Sequence, residues 1–274
     1  MGSIVAGLGV SHAPGITAWP ENADPDRLRV VHDGFSQLRR VIEEARPDAI
    51  VFVTPEHCVN FSLANMPAFC IGVAKNYRGP VEPWIRIPEA VVPGQPELGE
   101  LLVDCALRDG VDVSFSHELK LDHATMVPLS FLTPAFDIPV VPIIQNCLVE
   151  PMPHPWRSQA LGESIGRAIR ESERDWRVVV LGSGGLSHWP AEVEHGQVNE
   201  DFDRRFLHAC RAGNWAEMGT WTHEEIAEGG TGAAAVRNWI TMAAAARLGP
   251  MEVVFYEPMS VFATGLTAAY AVTA

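Results

Sequence analysis

The sequence predicts an α/β protein in which a central mixed sheet is flanked by helices, with residues 1–274 forming one domain. Three observations point there. Short apolar runs rich in Val and Ile alternate with longer amphipathic stretches, the pattern of a layered α/β fold. Prolines gather between these runs, where each restricts its own φ and its neighbour's. Composition and charge nowhere change sharply enough to mark a domain boundary, and no repeat or low-complexity linker interrupts the chain.

The elements follow in order. The run Ile4-Val5-Ala6-Gly7-Leu8-Gly9-Val10 predicts a strand over 4–10, and the amphipathic stretch after it a helix over 26–45. Two apolar runs, 49–54 and 69–74, predict strands, with Pro55 closing the first. The stretch 75–96 is Pro-rich with little periodicity, including Pro88 and Pro93, and is read as a long loop over the sheet edge. A helix over 96–109 and strands over 111–115 and 139–144 come next. The loop containing Pro151, Pro153 and Pro155 leads into a helix over 157–172, then a strand over 177–182. Helices over 199–211 and 233–247 and strands over 252–256 and 260–265 complete the prediction.

A formal charge of −14 argues against binding a phosphate backbone, which requires a concentrated basic face. Nucleic acid is therefore not an expected partner. No stretch approaches the 18 or more uninterrupted apolar residues of a membrane span, and the apolar run near Met1 lacks a preceding basic segment. The expected setting is the cytoplasm, without membrane contact. Cys58, Cys70, Cys105, Cys147 and Cys210 are widely spaced and form no CxxC pair, so they read as small buried hydrophobes rather than disulfide or zinc ligands.

The histidines carry more information. His12 follows the strand 4–10, His57 follows 49–54, and His188 follows 177–182 after the turn Gly182-Ser183-Gly184-Gly185-Leu186-Ser187. Open α/β sheets gather ligands at the C-terminal ends of their strands. His123 lies beside Asp122 in a loop leading toward a helix and is a fourth candidate. Imidazole suits two tasks, since its neutral nitrogen ligates first-row metals and its pKa permits proton transfer near neutral pH. His32, His117, His154, His195, His208 and His223 occupy polar helical or loop contexts and read as surface groups. The glycine turn completes no nucleotide-binding pattern. Ser183 and Ser187 lie near His188, but the GxSxG elbow of a serine hydrolase is absent.

At these residues the chain resembles the class III extradiol ring-cleavage dioxygenases, the family of protocatechuate 4,5-dioxygenase catalytic subunits and 2,3-dihydroxyphenylpropionate 1,2-dioxygenase. The segments that carry the likeness are Gly9 to Pro14, Pro55-Glu56-His57, Asp122-His123 with Pro128-Leu129, Gly182 to His188, Asn199 to Leu207, and Val236-Arg237-Asn238-Trp239. The resemblance implies a non-haem Fe(II) enzyme that cleaves a catecholic aromatic with O2. It implies that His12 and His57 are metal ligands and that His123 and His188 are the catalytic acid/base pair. Preferred roles are His188 removing a hydroxyl proton and His123 returning one as the carbon–carbon bond beside the diol breaks. It further implies a homo-oligomer or a complex with a small second subunit. A carboxylated catechol, its carboxylate met by Arg or Lys near the cleft, is the expected substrate class.

One position departs from the family pattern. The third ligand is a Glu two residues before the Arg-x-Trp element, and here that place holds Ala235. Three arrangements follow. Two imidazoles and water could hold the metal weakly, with activity reduced or lost. Another acid could serve, with Glu56, Asp122, Glu228 and Glu257 as candidates. Or the chain could be a non-catalytic or regulatory subunit that keeps the cleft for binding. A non-oxidative lyase or hydrolase using His123 and His188 is a further alternative.

Overall fold

The computed structural model describes residues 1–190 and 192–273. In chain order these form β1 (Ser3–Val10), α1 (Gly15–Ala18), α2 (Pro25–Ala45), β2 (Ala49–Pro55), β3 (Phe69–Gly72), β4 (Asn76–Gly79), β5 (Ala90–Pro93), α3 (Pro96–Arg108), β6 (Ser114–Ser116), α4 (His123–Leu132), β7 (Val140–Gln145), α5 (Pro155–Glu171), β8 (Arg177–Ser183), α6 (Glu200–Ala212), α7 (Trp215–Met218), α8 (His223–Ala227), α9 (Val236–Ala246), β9 (Glu252–Met259) and β10 (Thr264–Val272). Single 3-10 turns span Pro20–Asn22, Thr231–Ala235 and Ser260–Phe262.

Eight strands form one mixed sheet in the order β6-β3-β7-β2-β8-β1-β10-β9. The middle of the sheet, β7-β2-β8-β1, is parallel, with Val53 level with Gly182 and Val10 level with Ser183. Antiparallel pairs of β1 with β10 and β10 with β9 finish one side, and β3 runs antiparallel to β7 on the other. Because successive strand residues face opposite sides, each central strand feeds two cores. Val51 and Val53 of β2 join Val178 and Val180 of β8 under α3, α5 and α9, while Ile50 and Phe52 join Val179 and Leu181 under α2 and α4.

Local chemistry accounts for the helix ends. The Asp24 carboxylate caps α2 by accepting from the backbone N–H groups of Asp26 and Arg27, and Pro25 opens its first turn. Val31, Phe35, Leu38 and Ile42 recur at helical spacing and are buried against the sheet.

The predicted fold class and central strands match this structure, with corrections at the margins. The stretch 75–96 is not a plain loop: β4 and β5 pair there as a small antiparallel hairpin. The strand placed at 111–115 is only Ser114–Ser116, at the sheet edge. The final strand begins at Thr264 rather than 260, because Ser260–Phe262 makes a 3-10 turn first. The helix placed at 233–247 becomes fully α-helical only from Val236.

Candidate active site

Three of the histidines follow neighbouring parallel strands, so the sheet itself brings them together. His12 stands two residues past β1, His57 two past β2, and His188 five past β8, and these strands lie side by side in the order β2-β8-β1. His123 opens α4 at the same end of the sheet. All four line one cavity of about 360 Å³, walled otherwise by Pro14, Trp19, Glu56, Cys147, Ala235 and Phe262 among others.

Each ring is fixed by its Nδ1. The Ser183 hydroxyl donates to the Ala124 carbonyl at 2.7 Å, so it is as an acceptor that it meets His12 Nδ1–H at 2.9 Å. His57 Nδ1 donates to the Asp122 carboxylate at 2.8 Å, His123 Nδ1 to Glu82 at 2.6 Å, and His188 Nδ1 to the Ala263 carbonyl at 2.6 Å. With Nδ1 protonated in each, the remaining lone pair of every neutral ring resides on Nε2. Three rings are clustered: His57 stacks on His123 with centroids 4.4 Å apart, and His12 meets each of them edge-on at 5.5 Å. One ligand nitrogen from each of His12, His57 and His123 lies within 4.8 Å of the others. His188 does not belong to that cluster.

Electrostatics divides the rings. Burial, reinforced by the neighbouring imidazoles, holds His12 well below the usual histidine range, and burial also lowers His188. For His57 burial acts in the same direction but is outweighed by Asp122, with Glu56 and Glu82 adding to it, and its pKa is raised. Asp122 is correspondingly lowered, its burial outweighed by the hydrogen bond from His57. Asp122 has a second task, accepting from the Ala124 N–H as the N-cap of α4.

The acids considered as substitutes for a residue-235 carboxylate are engaged elsewhere. Glu56 is buried and turns one oxygen back onto the backbone N–H groups of Val59, Asn60 and Phe61. Asp122 serves His57, Glu228 pairs with Arg205, and Glu257 pairs with Arg27. Among the described residues, no carboxylate joins the three-imidazole cluster. The expected basic residues are missing as well: no Arg or Lys lines the cavity among the described residues.

The Arg-Asn-Trp motif proves to be architectural. Asn238 Nδ2 donates to the Ser183 carbonyl and Trp239 Nε1 to that of Gly184, pinning the turn between β8 and His188. Arg237 is buried and donates to the carbonyls of Pro153 and Ala234. Ser183 and Ser187, noted beside His188, are likewise supports: Ser187 donates to Asp203 through both its N–H and its hydroxyl. Sequence reasoning missed Glu82. It sits in the Pro-rich stretch, 41 residues before the histidine it holds, and its oxygen accepts from both His123 Nδ1 and the His123 backbone.

A family model described as the catalytic LigB subunit of aromatic ring-opening dioxygenase matches residues 6–267. The chain belongs to that family. Among curated relatives, a 2,3-dihydroxyphenylpropionate/2,3-dihydroxicinnamic acid 1,2-dioxygenase of Klebsiella pneumoniae is 33% identical over 190 residues, covering 69% of this chain and 57% of the relative. Proteins of the same name match more completely at lower identity. The Mycolicibacterium smegmatis protein is 27% identical, with 86% of this chain and 87% of that one covered. The Rhodococcus globerulus protein is 24% identical, with 97% of each covered. The crystal structure of an uncharacterized Escherichia coli K12 protein, JW3007, shares the fold at a TM-score of 0.63 and 16% identity, over 97% of this chain and 99% of that one. No helix among the described residues is long and apolar enough to cross a membrane.

Proposed function

We propose that this LigB-family chain is an Fe(II)-dependent extradiol dioxygenase acting on a small catechol. The observation that carries the reading is the set of four imidazoles around one cavity, each with Nδ1 bound to an oxygen and its Nε2 free. Imidazole nitrogens of fixed tautomer fit a first-row metal, with His12 and His57 holding it. Bound there, Fe(II) would supply a site for the diol oxygens and for dioxygen. His188 would accept the hydroxyl proton of the diol. Its lowered pKa leaves it neutral near pH 7, and the Ala263 carbonyl keeps its Nε2 the basic nitrogen. His123 faces the same cavity and is the second group able to carry a proton there.

The relatives' named substrates are catechols bearing a carboxylate, whereas this cavity has no Arg or Lys among its described lining residues. The substrate class proposed here is therefore an uncharged catechol, its ring packed by Pro14, Trp19 and Phe262. One test is to load the protein anaerobically with Fe(II) and measure oxygen uptake with 4-methylcatechol. One O2 consumed per ring opened is the expected result. Absence of uptake by protein that has bound iron would overturn the reading and favour a non-catalytic subunit, an alternative to which the inert methyl of Ala235 in the cavity wall already lends weight.

A further inference from the structure

We infer that His123 is a metal ligand, completing a three-histidine site with His12 and His57 in which no carboxylate touches the metal. The inference rests on the metal-binding part of the proposed function and goes beyond it by taking His123 out of proton transfer.

Four observations support it. The first is proximity: His12, His57 and His123 can each present one nitrogen within 4.8 Å of the other two, and His188 is outside this set. The second is tautomer. In all three rings Nδ1 is committed to an oxygen acceptor, which leaves the unprotonated Nε2 as the nitrogen each can offer a metal. A proton carrier needs no such triple convergence.

The third observation concerns charge. Three neutral imidazoles leave the full 2+ of a divalent metal uncompensated, which a buried site tolerates poorly. Two carboxylates stand one bond further out, Asp122 behind His57 and Glu82 behind His123, both on the Nδ1 side. They supply negative charge through the rings, the known role of carboxylates behind metal-bound histidine. Glu82 is little exposed, and its second oxygen is buried without a partner. Such an acid in a loop is costly unless something cationic lies near it, and a metal on His123 would provide that charge.

The fourth is the opposite wall. Ala235 offers only a methyl to the cavity, and Glu56, Asp122, Glu228 and Glu257 are occupied elsewhere. The position left open is filled from the α4 side of the cavity. Of the four candidate histidines, His188 is then the one left for proton transfer.

The experiment is a count of coordinated imidazoles by pulsed EPR on the full chain loaded with one equivalent of Fe(II) and exposed to nitric oxide, beside anaerobic Fe(II) titrations of wild type, His123→Ala and His188→Ala. Three imidazoles in wild type, two in His123→Ala with affinity at least about tenfold weaker, and three in His188→Ala are expected. Two imidazoles in wild type, or an unchanged count and affinity in His123→Ala, would overturn the inference while leaving the proposed dioxygenase intact. Three imidazoles without oxygen uptake would sustain the inference and sink the dioxygenase. Failure of wild type to bind iron would overturn both. Should His123→Ala fold poorly, the wild-type count still decides.

Discussion

An imidazole just past a strand end has a structural reason to face the ligand-gathering edge of the sheet, which holds for His12, His57 and His188 but not for His123 at the start of α4. What lies behind each ring was less legible. Asp122 could be seen as a neighbour of His123 but not as the partner of His57, 65 residues away. Glu82 gave no local signal at all, since nothing in a Pro-rich stretch says which acid folds back onto which ring. Asp203 is a similar case, and one with a measurable consequence. It is buried, accepts from Ser187 and from the Tyr256 hydroxyl, and burial raises its pKa from 3.8 to about 6. A carboxyl raised in the folded state binds its proton more tightly there than in the unfolded chain. Its contribution is thus fully present below 3.8 and is lost as pH rises through about 6. The stability difference between wild type and Asp203→Asn should accordingly move against wild type by about 2–3 kcal/mol between pH 4 and 7. Denaturant titrations of both proteins across that range would read it, and a flat difference would remove Asp203 from the pH response.

Elements with a clear period were read correctly, and those without one were not. The helix α4 was expected only as something the His123 loop leads toward, without bounds, because it is apolar on nearly all sides and carries Pro128 inside it, so no amphipathic face marks its extent, and His123 proves to be its first residue. The hairpin of β4 and β5 escaped because its strands are four residues each and prolines border them. The turn after β8 was visible as a glycine cluster, but its purpose emerges only from what packs on it. Gly184 has φ +125, a conformation side chains rarely adopt, and a Cβ there would come within 2.4 Å of the Ala235 Cβ. The turn is therefore pressed against the segment leading into α9, whose Asn238 and Trp239 also hold it by hydrogen bonds. Gly184→Ala should cost at least about 2 kcal/mol, from both the backbone conformation and the clash. Adding Ala235→Gly removes the clash alone and should recover only part of that loss. Chemical denaturation of the single and double variants separates the two contributions, and full recovery would mean that the backbone conformation costs nothing.

At the scale of the whole molecule, charge and cavity point the same way. The chain carries a formal −14, and the described lining of its cavity contains histidines but no Arg or Lys to offset that field for an anionic guest. The sequence could suggest a carboxylated catechol only through resemblance; which cations reach a cleft depends on loops drawn from distant parts of the chain. Here those loops bring Trp19, Phe262 and Ala235 instead. A ring carboxylate would then be desolvated without a partner, a loss that converts at about 1.4 kcal/mol to each factor of ten. Iron-loaded protein should therefore turn over 4-methylcatechol with kcat/KM at least about tenfold above that for 3,4-dihydroxybenzoate. Long-range repulsion adds a second signature. Raising ionic strength from about 0.01 to 0.15 M shortens the screening length from roughly 30 to 8 Å, so the anionic substrate should gain and the neutral one stay level. If instead the carboxylated catechol is preferred at both salt concentrations, its carboxylate meets a cation that the described cavity lining does not supply, and the uncharged-substrate reading falls.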